Sequence, residues 1–187
     1  MSARQTRPDV LVDLTIAATE IIDMRSFSSM WFWITLAVFW SAMSHYAVGV
    51  PYDMVQRAFR RNDEQAWRDL EALARINARR LLVIGSSAGV FVAGFAGFLL
   101  TTLLVLGFFY RVEFFQAAFM IAFPFALVGL LSQRTARLIL EVQPEGPDLA
   151  RGLRRHRFYV QLIGMVSILV TAFWGVFHVL STGVLGN

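Results

Sequence analysis

The amino-acid sequence predicts an all-α membrane protein: a four-transmembrane-helix bundle with an N-terminal amphipathic helix and a helical cytoplasmic loop, built as one membrane domain over residues 1–187. Three observations predict it. Hydrophobic residues make up 57% of the chain and charged residues only 16%, whereas a soluble domain carries about 25% charged residues. Four stretches, 26–52, 81–110, 114–133 and 158–187, contain no Asp, Glu, Lys or Arg, and each reaches the roughly 20 residues that a helix needs to cross about 30 Å of hydrocarbon. The basic residues, all of them arginine, cluster in alternate connections between those stretches.

The first element is an amphipathic helix over about 8–24. Val10, Leu14, Ala17, Ala18, Ile21 and Met24 recur at helical spacing, and Pro8 suits a first helical turn. Asp9, Asp13, Glu20 and Asp23, with no small-residue cleavage pattern behind an apolar core, exclude a signal peptide. Such a helix lies on the outer membrane face or docks on a protein. The first span follows at about 27–50, with Trp31, Trp33 and Trp40 as interfacial or packing aromatics.

Segment 51–80 reads as two helices broken at Asn62 and Asp63. In the second, Trp67, Leu70, Leu73, Ala74 and Asn77 share a face, while Glu64 with Arg68 and Glu71 with Arg75 form four-residue pairs on the other. This helix is expected to continue without a break into the second span, 81–110. Its apolar face is either a stripe lying along the membrane surface or a docking face for a cytoplasmic protein, with Trp67, Leu70 and Leu73 as the contacts. Only Arg111, Val112 and Glu113 separate the second span from the third, 114–133, so the two form a tight hairpin. Pro144, Gly146 and Pro147 then mark a loop, with Asp148 as the expected cap of a short helix leading into the fourth span, about 158–182. Arg151, Arg154, Arg155 and Arg157 are expected to meet lipid headgroups.

Orientation follows from the arginines. Thirteen lie in 57–80 and 134–157, and four (Arg4, Arg7, Arg25 and Arg111) lie on the other side. The positive-inside rule places the two long connections in the cytoplasm and both termini outside it.

The stretch VIGSSAGVFVAGFAGF, residues 83–98, looks at first like a phosphate loop. Gly89 and Gly94 have the right gap, but Phe95 and Ala96 stand where lysine and a hydroxyl residue are required. At four-residue spacing the same stretch places Gly85, Gly89, Ala93 and Gly97 on one face, a small-residue seam that lets helix backbones approach. Ala118, Ala122 and Ala126 make a matching ridge on the third span. The short hairpin favours that ridge as the seam's partner, with a second copy of the chain as the alternative. Pro124 breaks the helical ladder of the third span, leaves the carbonyl one turn earlier without its bond, and can frame a cavity.

Little in the chain carries chemistry. The absence of cysteine removes disulfides, thiolate nucleophiles and cysteine-ligated clusters. His45 and His178 lie near opposite membrane faces and cannot share a haem within one chain, so interfacial hydrogen bonding is their expected role. Deep within the spans there is no acid or arginine of the kind that ion-coupled transporters use, and Glu113 and Gln161 sit at the ends. No catalytic residue, metal site or cofactor is expected, and the arginine placement speaks for membrane topology rather than nucleic acid.

Three stretches, DMRSFSSMWFWITLAVFWSAMSHYAVGVPYDMV, DLEALARIN and GFFYRVEFFQAAF, carry a resemblance to a family of small alphaproteobacterial integral membrane proteins often labelled as a component of the SufBCD complex. The resemblance covers about residues 23–164 and implies a bacterial inner-membrane location. It also implies docking or recruitment of the soluble iron–sulfur scaffold through residues 52–80. The expected function is a non-enzymatic membrane anchor or accessory subunit of a larger assembly, with membrane lipid and a protein as partners. The alternative is a small dimeric transporter or lipid-handling protein with a cavity at Pro124.

Overall fold

The computed structural model describes residues 30–61 and 63–184. The amphipathic helix expected over 8–24 lies outside the described residues. Helix α1 is Met30–His45, followed by a two-stranded antiparallel hairpin of β1, Tyr46–Ala47, and β2, Val50–Pro51. Next come α2, Tyr52–Arg61, α3, Glu64–Ser87, and α4, Gly89–Leu104, whose last turn, Val105–Phe109, is wound as a π-helix. Helices α5, Glu113–Val142, and α6, Gly146–Val184, complete the chain. Among the described residues three helices are long and apolar enough to cross a membrane: α4 with its π-turn, α5 and α6.

Two boundaries differ from expectation. The first span was expected to reach about residue 50, but helix α1 stops at His45 because the chain turns at Val48 and Gly49, both with positive φ (54° and 73°). That pair gives the two-residue turn whose twist matches an antiparallel hairpin. The described part of α1 is 16 residues, about 24 Å at 1.5 Å per residue. The helix of segment 51–80 was expected to continue without a break into the second span, 81–110; it does run past residue 81, but it ends within that stretch at Ser87. Ala88, at φ −124° and ψ 7°, departs from helical geometry before Gly89 begins α4. Small residues at 85–89 remove the side-chain packing that would hold the helix straight.

Helices α2 and α3 fold back as a cap on the C-terminal end of α5 and the N-terminal end of α6. Asp63 terminates the turn between them by accepting the Ala66 amide at 2.8 Å, an N-cap. Leu70, Ala74 and Ala78 recur every four residues on α3 and are each fully buried, against Ala136 and Ile139 of α5 and Leu149, Ala150 and Leu153 of α6. The alanines let the backbones approach, so the close-packed seam in use lies here, outside the glycine stretch. Helix α5 ends with Gln143 in the left-handed conformation and Pro144 immediately after it. The expected capping role of Asp148 is filled instead by α3. Glu71 accepts the Gly146 amide at 2.6 Å, placing a carboxylate at the positive end of α6.

In the membrane half, α1, α5 and α6 pack around Leu36, Trp40, Val128 and Val160. Trp40 lies so close to α6 that a Cβ on Gly164 would come within 2.8 Å of its ring. The hairpin end is fixed by a polar cluster. Gln116, 4% exposed, donates to the Gly107 carbonyl at 2.8 Å and accepts from Trp174 Nε1 at 3.0 Å. The π-turn places that carbonyl within reach, and Gly107 allows the approach, since a Cβ there would meet the Gln116 backbone nitrogen at 2.8 Å. Pro124 sits inside α5 and cannot donate to Met120, four residues earlier; the Ser167 hydroxyl of α6 donates to the Met120 carbonyl instead, at 3.3 Å. Past the hairpin, His178 Nε2 and Glu113 lie 3.4 Å apart.

Candidate functional site

The strained hairpin, the end of α3 and the α5–α6 pair meet around a cavity of about 340 Å³, within the size range of small-molecule sites. Its walls are apolar, with Met43, Leu81, Ile84, Val128 and Val160, and its polar groups are Asn77, Arg80, Ser132 and His156. Val48, a β-branched residue at φ 54°, forms part of the rim. That conformation costs about 1–2 kcal/mol and is held because the side chain is buried and Asn77 Nδ2 donates to the Gly49 carbonyl at 2.9 Å.

His156 is 3% exposed and its ring is held on both sides. Thr135 Oγ1 lies 3.0 Å from Nδ1 and also donates its one proton to the Leu131 carbonyl at 2.9 Å. Nδ1 therefore donates to Thr135, and Nε2 faces the Ser132 hydroxyl at 3.5 Å. This has the connectivity of a serine–histidine pair, but a hydroxyl rather than a carboxylate holds the second nitrogen, so no anion is placed to stabilise an imidazolium. Arg80, exposed at the mouth, has no ion-pair or hydrogen-bond partner among the described residues. The pocket thus offers one uncommitted cation beside an apolar chamber.

A second concavity runs between α5 and α6. Near the α2–α3 cap it has a volume of about 680 Å³, with Arg134, Arg155, Asp148 and Tyr159 among its walls. Deeper it becomes an apolar groove of about 410 Å³ along Phe123, Pro124, Val166 and Val170, and Leu162 and Ile163 line both parts. The cavity expected at Pro124 is the inner part of this groove.

The residues singled out from sequence fare differently. Leu70 is fully buried in the cap, and Leu73 and Trp67 pack against the same core, with Trp67 edge-on to Phe59 at 5.2 Å. The expected docking face is therefore occupied by the chain itself, because the C-terminal end of α5 and the N-terminal end of α6 cover it. The internal glycine seam is corrected as well. A Cβ on Gly89 or Gly97 would meet nothing within 4 Å, Ala93 is exposed, and Gly85 makes only ordinary contact with Gln133 at 3.9 Å. Ala118, Ala122 and Ala126 are half-buried without closing on that seam. The bend at Ala88 directs the first half of α4 away from α5, so the two helices meet closely only near Gly107.

The four arginines expected at headgroups also divide. Arg151 pairs with Asp148, Arg154 lies over the Phe59 ring at 4.9 Å, and Arg157 lies over the Tyr52 ring at 3.7 Å while its Nε donates to the Ser44 carbonyl at 3.1 Å. Arg155 is left exposed and without a partner among the described residues. Sequence reasoning missed His156, Ser132, Thr135, Arg80 as a pocket group, and Gln116. The available signals were a histidine set among arginines in LRRHRF and the polar run SQRT closing the third span. Among the described residues no cluster of histidine and acidic side chains could hold a metal ion. No family model, curated protein or solved structure matches the chain.

Proposed function

We propose that this chain is a non-enzymatic, four-span protein of the bacterial inner membrane, with both termini outside the cytoplasm, that binds an acidic amphiphile in the pocket at Arg80. One observation carries this lipid-handling role: an apolar chamber lies at the boundary between the arginine-rich cap and the spans, with a single uncommitted guanidinium at its mouth. An acidic headgroup would meet Arg80, and the hydrocarbon would pack on Met43, Ile84 and Val128. Binding of a fluorescent long-chain fatty acid to the detergent-solubilised protein tests it. A charge-assisted contact contributes about 1.5–3 kcal/mol, so Arg80→Gln should weaken binding about tenfold or more, while Arg60→Gln should not. Equal binding by both variants would refute the pocket.

A role as anchor or accessory subunit keeps one specific observation in its favour. Of α4 only Leu103 is buried within the chain, and the small-residue face at Gly89, Ala93 and Gly97 is open. A protein neighbour would therefore be met on α4. Recruitment of a soluble scaffold would have to use the outer surface of α2 and α3 around half-exposed Phe59, since Leu70 is spent on the cap.

A further inference from the structure

We propose that the α5–α6 groove is a seat for one anionic phospholipid of the cytoplasmic leaflet, carried by cations other than Arg80, although His156 lines both this groove and the Arg80 pocket. At its wide end Arg134 of α5 and Arg155 of α6 both line the groove, are exposed, and have no ion-pair partner among the described residues. The acid at that rim, Asp148, is engaged by Arg151. The wide end is thus cationic, and Tyr159 adds a phenolic donor one helical turn below Arg155.

Below this polar end the lining is hydrocarbon. Leu162 and Ile163 line both this end and the inner groove beside Pro124, so the arginine-rimmed cavity adjoins an apolar one along α6. Arg155, Tyr159, Leu162, Val166 and Val170 follow one another at three- and four-residue steps along a single face of α6. From Arg134 to Pro124 along α5 is about 15 Å at 1.5 Å per residue, which matches half of a hydrocarbon core about 30 Å thick. The groove therefore has the depth of one leaflet, a cationic mouth at the headgroup level and an apolar trough for an acyl chain. A zwitterionic lipid would fit the trough but leave the two guanidiniums without an anion.

Native mass spectrometry of the full chain released from micelles, with phosphatidylglycerol or phosphatidylcholine of identical acyl chains, tests this. Phosphatidylglycerol should remain bound at about tenfold lower lipid concentration, with one tightly held lipid per chain. The Arg134→Gln/Arg155→Gln double variant should lose that preference, and Arg80→Gln should keep it, which separates this seat from the fatty-acid pocket. Both arginines are exposed and unpartnered, so their loss leaves the fold intact. Val166→Trp, which fills the trough and spares the cations, should remove the retained lipid altogether. Equal retention of the two lipids by the natural sequence, an unchanged preference in the double variant, or a lipid still held by Val166→Trp would each overturn the assignment.

Discussion

Replacing Leu70 with alanine separates a cap that belongs to the fold from a face reserved for a partner. Leu70 is 0% exposed and sits among Ala58, Ala74, Ala136, Ile139, Leu149 and Leu153, with Ala74 and Ala78 beside it on the same helical face. Half of these neighbours are alanines, which cannot fill the space left behind, while Ile139, Leu149 and Leu153 can relax partway into it, so the middle of the usual Leu→Ala range of about 2–5 kcal/mol applies. Taking about 3 kcal/mol, the population of cap-open states rises about a hundredfold, at 1.4 kcal/mol per factor of ten. Amide hydrogen exchange in micelles, read by mass spectrometry over peptides covering 64–80 and 136–153, should show protection falling by that factor in both peptides together, because α3 and the ends of α5 and α6 open as one unit. Peptides from the membrane half of α5 should be unaffected. Unchanged exchange in 64–80 would refute the buried-cap account and return Leu70 to the surface.

Two further outcomes follow from the packing. Gln116→Leu leaves the Gly107 carbonyl and the Trp174 indole nitrogen without their partner. Membrane hydrogen bonds contribute about 0.6 kcal/mol on average, so the variant should lose roughly 1 kcal/mol in reversible unfolding from mixed micelles; a stability equal to the natural sequence would show that the two bonds are replaced. Gly97→Leu, at a position where a Cβ meets nothing within 4 Å, should leave monomer stability within about 0.5 kcal/mol. A loss of several kcal/mol in monodisperse protein would restore the internal seam.

The membrane character was legible in the sequence because charge exclusion over some 20 residues is a local property, and the break before α3 was legible because Asp63 caps within its own turn. What sequence concealed depends on which distant residues come together. Trp67 and Leu70 look like a docking face until α5 is seen to extend to Val142 and α6 to begin at Gly146, where they cover it. The glycine seam has the right spacing to pack on α5, but spacing does not specify direction, and the bend at Ala88 turns the helix away. The consequence of Pro124 was half visible. A freed carbonyl was implied by the helix ladder, whereas the hydroxyl that satisfies it stands 47 residues away from Met120, on another helix. The candidate pocket was less visible still, since Ser132, Thr135 and His156 become meaningful only when α5 and α6 run side by side.

The bond from Glu71 to the amide of Gly146 closes a contact 75 residues apart in the chain. During synthesis at about 5–20 residues per second, roughly 4–15 s pass between emergence of the carboxylate and of the amide it caps. Throughout that interval Leu70, Ala74 and Ala78 have not yet met Leu149, Ala150 and Leu153, the α6 residues that help to cover them. The cap therefore closes late in synthesis. It can shut only after α4 and α5 have been made and residue 146 has emerged, so a chain stalled before that point keeps its apolar stripe uncovered.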